Sequence, residues 1–183
     1  DRAVLLRRAM ESVLSQTAGD WIHVVVNDGG DPAPVDRLAA GLADRYAGRL
    51  VVVHNPRSLG MEAASNVGLR AADSRYVVIH DDDDSWEPAF LATCVGFLEA
   101  QADPRIAGVI THSVRIDERI VGDRVEIDRR TPYNDWVRSI SLFRMAGSNL
   151  FPPISFLFRR AVIDEVGAYR EDLPVLGDWE FNL

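Results

Sequence analysis

Apolar and polar positions alternate along this chain in two rhythms, one typical of helices and the other of buried strands. Apolar side chains recur at helical spacing over residues 2–17, whereas residues 21–26 form a continuous apolar run rich in β-branched side chains. A continuous run of this kind is typical of a strand covered on both faces. The two patterns recur and predict helices over 34–47, 60–72, 85–101 and 160–166, and strands over 50–53, 76–79, 109–111 and 155–158.

This order of elements predicts the fold class. Helices and strands that alternate with such connections indicate an α/β fold with a mainly parallel central sheet flanked by helices, here in one domain over residues 1–183. Residues 114–132 instead predict a hairpin or irregular excursion, and residues 134–146 a helix. The chain opens in an amphipathic helix with no apolar strand ahead of it to cover. We therefore expect an N-terminal strand to be missing and the chain to be a fragment.

Charge and composition narrow the range of functions. The chain has 28 acidic against 20 basic side chains and a formal net charge of −8. Without a dense block of Lys and Arg, it is a poor match for nucleic-acid backbones, so we expect no nucleic-acid partner. The single cysteine, Cys94, excludes an internal disulfide framework and a cysteine-based zinc site. No apolar run approaches the roughly 20 residues of a membrane span, which favours a cytoplasmic protein and leaves peripheral membrane association open.

Four consecutive aspartates occupy positions 81–84, directly after the apolar run at 76–79. Carboxylates this close repel one another, so a fold that keeps them at a strand end needs a cation or hydrogen-bond donors beside them. One carboxylate suffices to cap a helix, and Asp84 with Glu87 has the spacing of a capping box. The others are hard oxygen ligands of the kind that bind Mg²⁺ or Mn²⁺, which could bridge to a diphosphate.

Three further polar residues are candidates for the same site. Asp28 follows the strand at 21–26 and shares its carboxyl edge with Asp81, where open α/β sheets bind ligands. The alternative for Asp28 is a turn aspartate that bonds its own backbone. Asn66 lies on a predicted helix, where packing is the alternative to ligand binding. Asp178 lies among aromatic residues and is either a helix N-cap or a general base.

Taken together, these stretches resemble the family 2 glycosyltransferases, which have the nucleotide-diphospho-sugar transferase (GT-A) fold. The stretches that carry the resemblance, in order, are residues 8–17, 26–30, 55–68 and 76–88. The sequence Gly-Asp-Trp-Glu at 177–180 is similar to the family's acidic acceptor-side motif. The resemblance implies that residues 1–113 form a nucleotide-sugar-binding half and residues 114–183 an acceptor-side half that is truncated.

The resemblance also implies a role for each candidate residue. Asp28 looks like the aspartate that contacts the nucleobase, and Asn66 like a donor-side residue. Asp81 and Asp83 resemble the family's Asp-x-Asp pair, with Asp81 near the ribose and the metal, and Asp83 on the metal that bridges the diphosphate. Asp178 looks like the base that deprotonates the acceptor hydroxyl for in-line attack with inversion. The implied donor is a UDP-sugar, the implied cofactor Mn²⁺ or Mg²⁺, and the implied acceptor a saccharide or glycoconjugate.

The chain departs from the family pattern at two positions that adjoin the candidate residues. Ser65 stands where the family usually has arginine, and His80 replaces a usual apolar residue. Two other functions stay open from the sequence. One is a sugar-phosphate nucleotidyltransferase of the same broad fold, and the other is a catalytically silent module that binds nucleotide sugars.

Overall fold

The computed structural model describes residues 2–183, in which helices and strands alternate in the predicted order up to the fourth strand. The helices are α1 (Arg2–Leu14), α2 (Pro32–Tyr46), α3 (Met61–Ala71), α4 (Phe90–Glu99), α5 (Leu142–Gly147), α6 (Ala161–Val166) and α7 (Gly177–Phe181). The strands are β1 (His23–Asp28), β2 (Leu50–Asn55), β3 (Tyr76–Val77), β4 (Gly108–Ile110), β5 (Val114–Val121), β6 (Arg124–Pro132) and β7 (Phe156–Arg159).

The predicted α/β class is confirmed, but the strands pair in a more divided way than a single mainly parallel sheet. Strands β1 and β2 run parallel, with Val25 opposite Val52. Strand β7, which comes late in the chain, lies between β3 and β4 and runs antiparallel to both. Strands β5 and β6 form the hairpin predicted over 114–132, which turns at Gly122 with a φ of 63°.

A cavity of about 1590 Å³ borders both β1 and β3. Side chains of both strands line it, among them Val24 and Val26, and Asp28 and Asp81 lie on its wall. Within residues 2–183, β1 pairs only with β2, and β3 pairs only with β7. The additional strand that the sequence leads us to expect ahead of α1 stays a prediction.

Three apolar clusters hold the helices and strands together. The first joins α1 to α2 through Met10, Leu38, Leu42 and Tyr46. The second packs α4 against β7 through Leu91, Cys94, Leu98 and Leu157. The third packs α5 against the segments around it through Val137, Met145, Leu150 and Phe151. Each fully buried leucine or phenylalanine contributes about 1.5–3 kcal/mol from apolar burial, so these clusters fix the elements from which the polar residues project.

The predicted start of α4 at Asp84 is wrong. The helix begins at Phe90, and the residue before it makes no side-chain cap. A residue distant in sequence supplies the acceptor instead, because Oε1 of the buried Gln16 accepts a hydrogen bond of 2.9 Å from the backbone N–H of Leu91. The aspartates therefore do not cap α4. Asp84 instead closes a turn, in which its N–H donates a hydrogen bond of 3.2 Å to the carbonyl of Asp81.

The helix predicted over 134–146 is also largely wrong, since only α5 is helical there. The side chain of Asn134, which is 2% exposed, fixes the chain in an irregular path. Its Oδ1 accepts from the N–H of Ser113 at 2.7 Å and its Nδ2 donates to the carbonyl of Leu150 at 3.2 Å. The helix starts later, at Leu142, and the hydroxyl of Ser141, the N-cap before it, accepts from the N–H of Arg144. Across residues 2–183, none of the helices combines the length and apolar composition that a bilayer-spanning helix requires.

Candidate functional site

The carboxylates at 81–84 are crowded and partly removed from water. Burial, together with the charges of neighbouring carboxylates, raises the pKa of Asp81 from its ordinary value of 3.8 to about 6. Burial also raises the pKa values of Asp82 and Asp84. The side chain of Asp83 is half exposed. The structure thus places an excess of negative charge where β3 leads into the cavity, and Asp83 is the carboxylate most open to solvent.

Two arginines of α1 partly offset this charge. Arg2 Nη2 lies 2.5 Å from Asp82 Oδ1, and Arg2 Nη1 lies 3.9 Å from Asp83 Oδ2. Arg8 donates to the carbonyl of Asp83 and pairs with Glu118 of the β5–β6 hairpin. The Nε atom of Arg8 is buried without a partner. The sequence interpretation missed both arginines as neighbours of the aspartates, because only the packing of α1 across the cavity brings them there.

Asp28 has the opposite environment, because hydrogen bonds saturate its carboxylate. It accepts from Asn55 Nδ2 at 2.8 Å, from Ser58 Oγ at 2.8 Å, and from the backbone N–H groups of Leu59 and Gly60 at 2.9 and 3.1 Å. Burial by itself would raise the pKa of Asp28, but these hydrogen bonds outweigh it and lower the pKa. Asp28 therefore holds the loop between β2 and α3, and its role toward a nucleobase stays a prediction.

Gly29 explains how that loop comes so close to Asp28. Its φ is 81°, in the left-handed region, and a Cβ added there would lie 2.2 Å from the backbone nitrogen of Ser58. Only a residue without a side chain fits this contact. The Asp-Gly pair at the end of β1 is thus built to receive the loop at 57–60.

Asn66 is directed away from the cavity and into the protein. It is 3% exposed, its Nδ2 donates to the carbonyl of Tyr169 at 2.7 Å, and its Oδ1 accepts from the N–H of Tyr169 at 3.0 Å. Nδ2 also donates to Glu171 Oε1 at 2.9 Å. With these partners the side chain serves to tie α3 to the segment ahead of α7, so its predicted role in binding the nucleotide sugar rests on the family resemblance alone.

Asp178 lies in the first turn of α7, and its carboxylate is held by one neutral amide. Its Oδ2 accepts from Asn149 Nδ2 at 2.9 Å, while the buried Oδ1 of Asn149 has no partner. The next residue, Trp179, donates from its indole Nε1 to the carbonyl of Met145 at 2.7 Å. Sequence reasoning missed Asn149, which is 29 residues away and carries no local pattern.

Asp178 lies within range of the charge of Asp81. The charge of Asp178 is one of the charges that raise the pKa of Asp81. The same two charges act on Tyr169, which is 8% exposed. Burial and then the charges of Asp178 and Asp81 raise the pKa of its phenol. The sequence interpretation also missed Tyr169, a buried phenol on which the charges of both carboxylates act. Asp28 and Asp81 line one cavity, whereas Asp178 is related to this pair only through its charge on Asp81.

The residues at 81–83 fit a divalent cation. They offer hard carboxylate oxygens with surplus negative charge, which Mg²⁺ and Mn²⁺ prefer. Within residues 2–183, no three His, Cys, Asp or Glu side chains are arranged as a ready metal cage. A cation that shares its ligands with a diphosphate needs only one or two carboxylates from the protein. Asp83 and Asp81 meet that requirement.

Comparison with known proteins identifies the family. The model of the family described as Glycosyl transferase family 2 matches residues 1–167 of the chain. The chain belongs to this family. Among curated members, the succinoglycan biosynthesis protein ExoW of Rhizobium meliloti is 42% identical over 89 residues, which are 48% of this chain and 27% of ExoW. The uncharacterized glycosyltransferase YwdF of Bacillus subtilis is 27% identical over 193 residues, covering 100% of this chain and 63% of YwdF.

Solved structures of glycosyltransferases share the fold. The mannosyltransferase PcManGT from Pyrobaculum calidifontis, in complex with GDP-Man and Mn²⁺, superposes with a TM-score of 0.66 and 21% identity over 98% of this chain and 47% of that one. S. aureus TarS 1–349 in complex with UDP gives a TM-score of 0.67 and 18% identity over 96% and 49%. The GT-A fold implied by the sequence is confirmed. The family 2 chain described here spans about half the length of these two solved chains.

Proposed function

We propose that this protein is an inverting, metal-dependent glycosyltransferase that moves a sugar from a nucleotide-diphospho-sugar to an acceptor hydroxyl. The observation that carries the proposal is the meeting of two unlike carboxylate groups. Asp81, in the crowded and partly buried set at 81–84, feels the charge of the single carboxylate of Asp178. A glycosyl transfer needs this division, because one set must handle the anionic leaving group while one carboxylate activates the nucleophile.

The donor side of the reaction belongs to Asp81 and Asp83, with Asp28 and Asn66 assigned to the nucleotide sugar by resemblance. Mn²⁺ or Mg²⁺ bound at Asp83 and Asp81 would offset the charge that develops on the leaving diphosphate. PcManGT binds GDP-Man with Mn²⁺, and TarS binds UDP and UDP-GlcNAc. We favour a UDP-sugar as the donor and place the reaction in the cytoplasm, with peripheral membrane association left open.

The acceptor side belongs to Asp178. Asn149 occupies its Oδ2, which leaves Oδ1 to take the proton of the acceptor hydroxyl as that oxygen attacks the anomeric carbon. The bond from the anomeric carbon to the diphosphate oxygen breaks on the opposite face, so the configuration inverts. Because ExoW is named for succinoglycan biosynthesis, we place the product in polysaccharide or glycoconjugate synthesis.

The substitution Asp178→Asn tests this proposal. It keeps the shape of the side chain and removes the base, so we expect kcat for transfer to fall about 10²–10⁴-fold while UDP binding in the presence of Mn²⁺ is retained. Transfer is measured in the full-length protein with a panel of UDP-sugars, and the exposed Asp164→Asn on α6 serves as the matched control. Full activity in Asp178→Asn would refute the assignment of the base.

The same assays separate the other two functions. Metal-dependent UDP binding by the unchanged protein, with no turnover of any donor or acceptor, would favour a silent binding module. Release of pyrophosphate from a nucleoside triphosphate and a sugar phosphate would favour a nucleotidyltransferase, a function that membership of glycosyl transferase family 2 already disfavours.

A further inference from the structure

The short segment that carries Asp178 needs contacts from other parts of the protein to fix its conformation. Helix α7 has only five residues, and the residue before it, Leu176, has a φ of 65° and a ψ of 25°. A left-handed backbone at a leucine is strained and persists only where the surroundings impose it. Leu176 is itself 53% exposed, so its own side chain does not supply that restraint. Something else must fix the start of α7.

Glu62 of α3 makes the contact that does so. Its side chain is 7% exposed, and its Oε1 accepts a hydrogen bond of 3.0 Å from the backbone N–H of Gly177. The two residues are 115 positions apart in sequence. A Cβ added at Gly177 would lie 2.2 Å from Glu62 Cγ and 2.5 Å from its Oε1. The carboxylate therefore lies directly against the backbone of the residue that precedes Asp178.

Helix α3 is a firm support for this contact. Gly68 of α3 brings the helix backbone close to β1, where a Cβ would lie 3.5 Å from Val26 Cγ2. One turn after Glu62, on the same helix face, Asn66 holds the backbone of Tyr169 at both its N–H and its carbonyl. Two neighbouring side chains of α3 thus form hydrogen bonds with the backbone of the segment that leads to Asp178. The spacing of four residues between them was visible in the sequence, but their partners were not.

We propose that Glu62 is a positioning residue for transfer, which sets the location of Asp178 through the N–H of Gly177. The inference rests on the proposed role of Asp178 as the base. A carboxylate suits the task because a charged acceptor forms a shorter and stronger hydrogen bond than a neutral one. Its place in the first turn of α3 is favourable for negative charge. A buried carboxylate is a poor choice for stability alone, so its presence indicates a functional purpose.

The test compares Glu62→Ala with Glu62→Gln in the full-length protein. The alanine variant leaves the N–H of Gly177 without its acceptor, and we expect kcat for transfer to fall about 10- to 100-fold, as for a catalytic group misplaced by about 1 Å. The glutamine variant keeps an acceptor oxygen and should retain most of the kcat. Binding of UDP with Mn²⁺ should change less than about twofold in both, because the aspartates at 81–84 are untouched. The exposed Glu165→Ala on α6 is the matched control.

A second variant approaches the same contact from the other side. Gly177 has no left-handed backbone, so in Gly177→Ala the added methyl group tests crowding against Glu62 alone. We expect a fall in kcat similar to that of Glu62→Ala, with UDP binding again preserved. The double variant should be less impaired than the two single effects multiplied, because removing the Glu62 side chain makes room for the methyl group. This variant also carries the test if Glu62→Ala does not fold.

The outcomes separate this inference from the proposed function. Unchanged kcat in Glu62→Ala or in folded Gly177→Ala, with transfer lost in Asp178→Asn, would overturn the positioning role and leave the base in place. A fall in kcat matched by an equal loss of UDP binding would also overturn it, because that pattern is the mark of a general structural defect. Full activity in Asp178→Asn would instead overturn the proposed function.

Discussion

Two aspartates on the wall of one cavity have opposite surroundings. Asp28 accepts hydrogen bonds from Asn55 at the end of β2 and from three residues of the loop that follows, and its pKa is lowered. Asp81 is buried among other carboxylates, and its pKa is raised to about 6. The same chemical group therefore stabilises the fold in one place and strains it in the other. A carboxylate that lacks hydrogen-bond donors remains available to a cation, which is why we propose the metal at the aspartates at 81–83.

The largest effect on activity is expected at Asp83, in the group of carboxylates that lack hydrogen-bond donors. Asp83→Ala removes a proposed metal ligand, and we expect transfer to fall at least about a hundredfold, since a metal ion supplies several kcal/mol of charge stabilisation. Titration of UDP with and without Mn²⁺ should show that the metal-dependent part of binding is lost. The exposed Asp123→Ala, at the tip of the β5–β6 hairpin, is the control. Unaltered activity in Asp83→Ala would contradict the metal assignment.

Asp81→Asn should stabilise the metal-free protein at pH 7. The folded-state pKa of about 6 lies above the ordinary value of 3.8, so the folded protein holds the proton more tightly than the unfolded chain. Stability therefore falls as the pH rises through this interval, and the neutral amide avoids a loss of about 1–3 kcal/mol. Thermal unfolding with a chelator present should show the gain at pH 7 and little gain at pH 4. An equal gain at both values would contradict the charge explanation.

The same substitution at Asp28 should act in the opposite direction. Asp28→Asn keeps one acceptor oxygen but loses the other, and we expect a loss of about 1 kcal/mol at pH 7. Because the pKa of Asp28 is lowered in the folded protein, the loss is present above the ordinary value of 3.8 and shrinks as the pH falls below it. Denaturant unfolding at pH 7 and pH 3 measures it. A gain in stability from Asp28→Asn would remove the contrast with Asp81.

The sequence predicted the elements whose signals are local and failed where a distant residue decides. The apolar runs of β1 and β2 and the alternation in the hairpin at 114–132 each appear in the structure. The start of α4 does not follow the capping pattern, because Gln16, in the segment that follows α1, provides the acceptor. The helix over 134–146 is shortened because Asn134 bonds two other segments. Tertiary contacts outweighed local propensity in both cases.

In the candidate site, too, the residues with local signals could be predicted and their distant partners could not. Aspartates at strand ends and before a helix are visible as motifs, so Asp28, Asp81, Asp83 and Asp178 could be chosen from the sequence. The residues that set their environment are not visible, because Arg8, Asn149 and Glu62 reach the site only through the fold. A motif identifies which groups are present, whereas charge balance and position depend on partners many residues away.

The two hydrogen bonds between Asn66 and Tyr169 close a long loop of the chain, which costs conformational entropy. The two residues are 103 positions apart, and closing a flexible loop of that length costs about 4 kcal/mol beyond its constant part. Two buried amide hydrogen bonds contribute only about 2 kcal/mol, so they cannot close the loop alone. They form when the intervening strands have already brought both ends together. We therefore expect Asp178 to acquire its place late in folding, after the strands have been assembled.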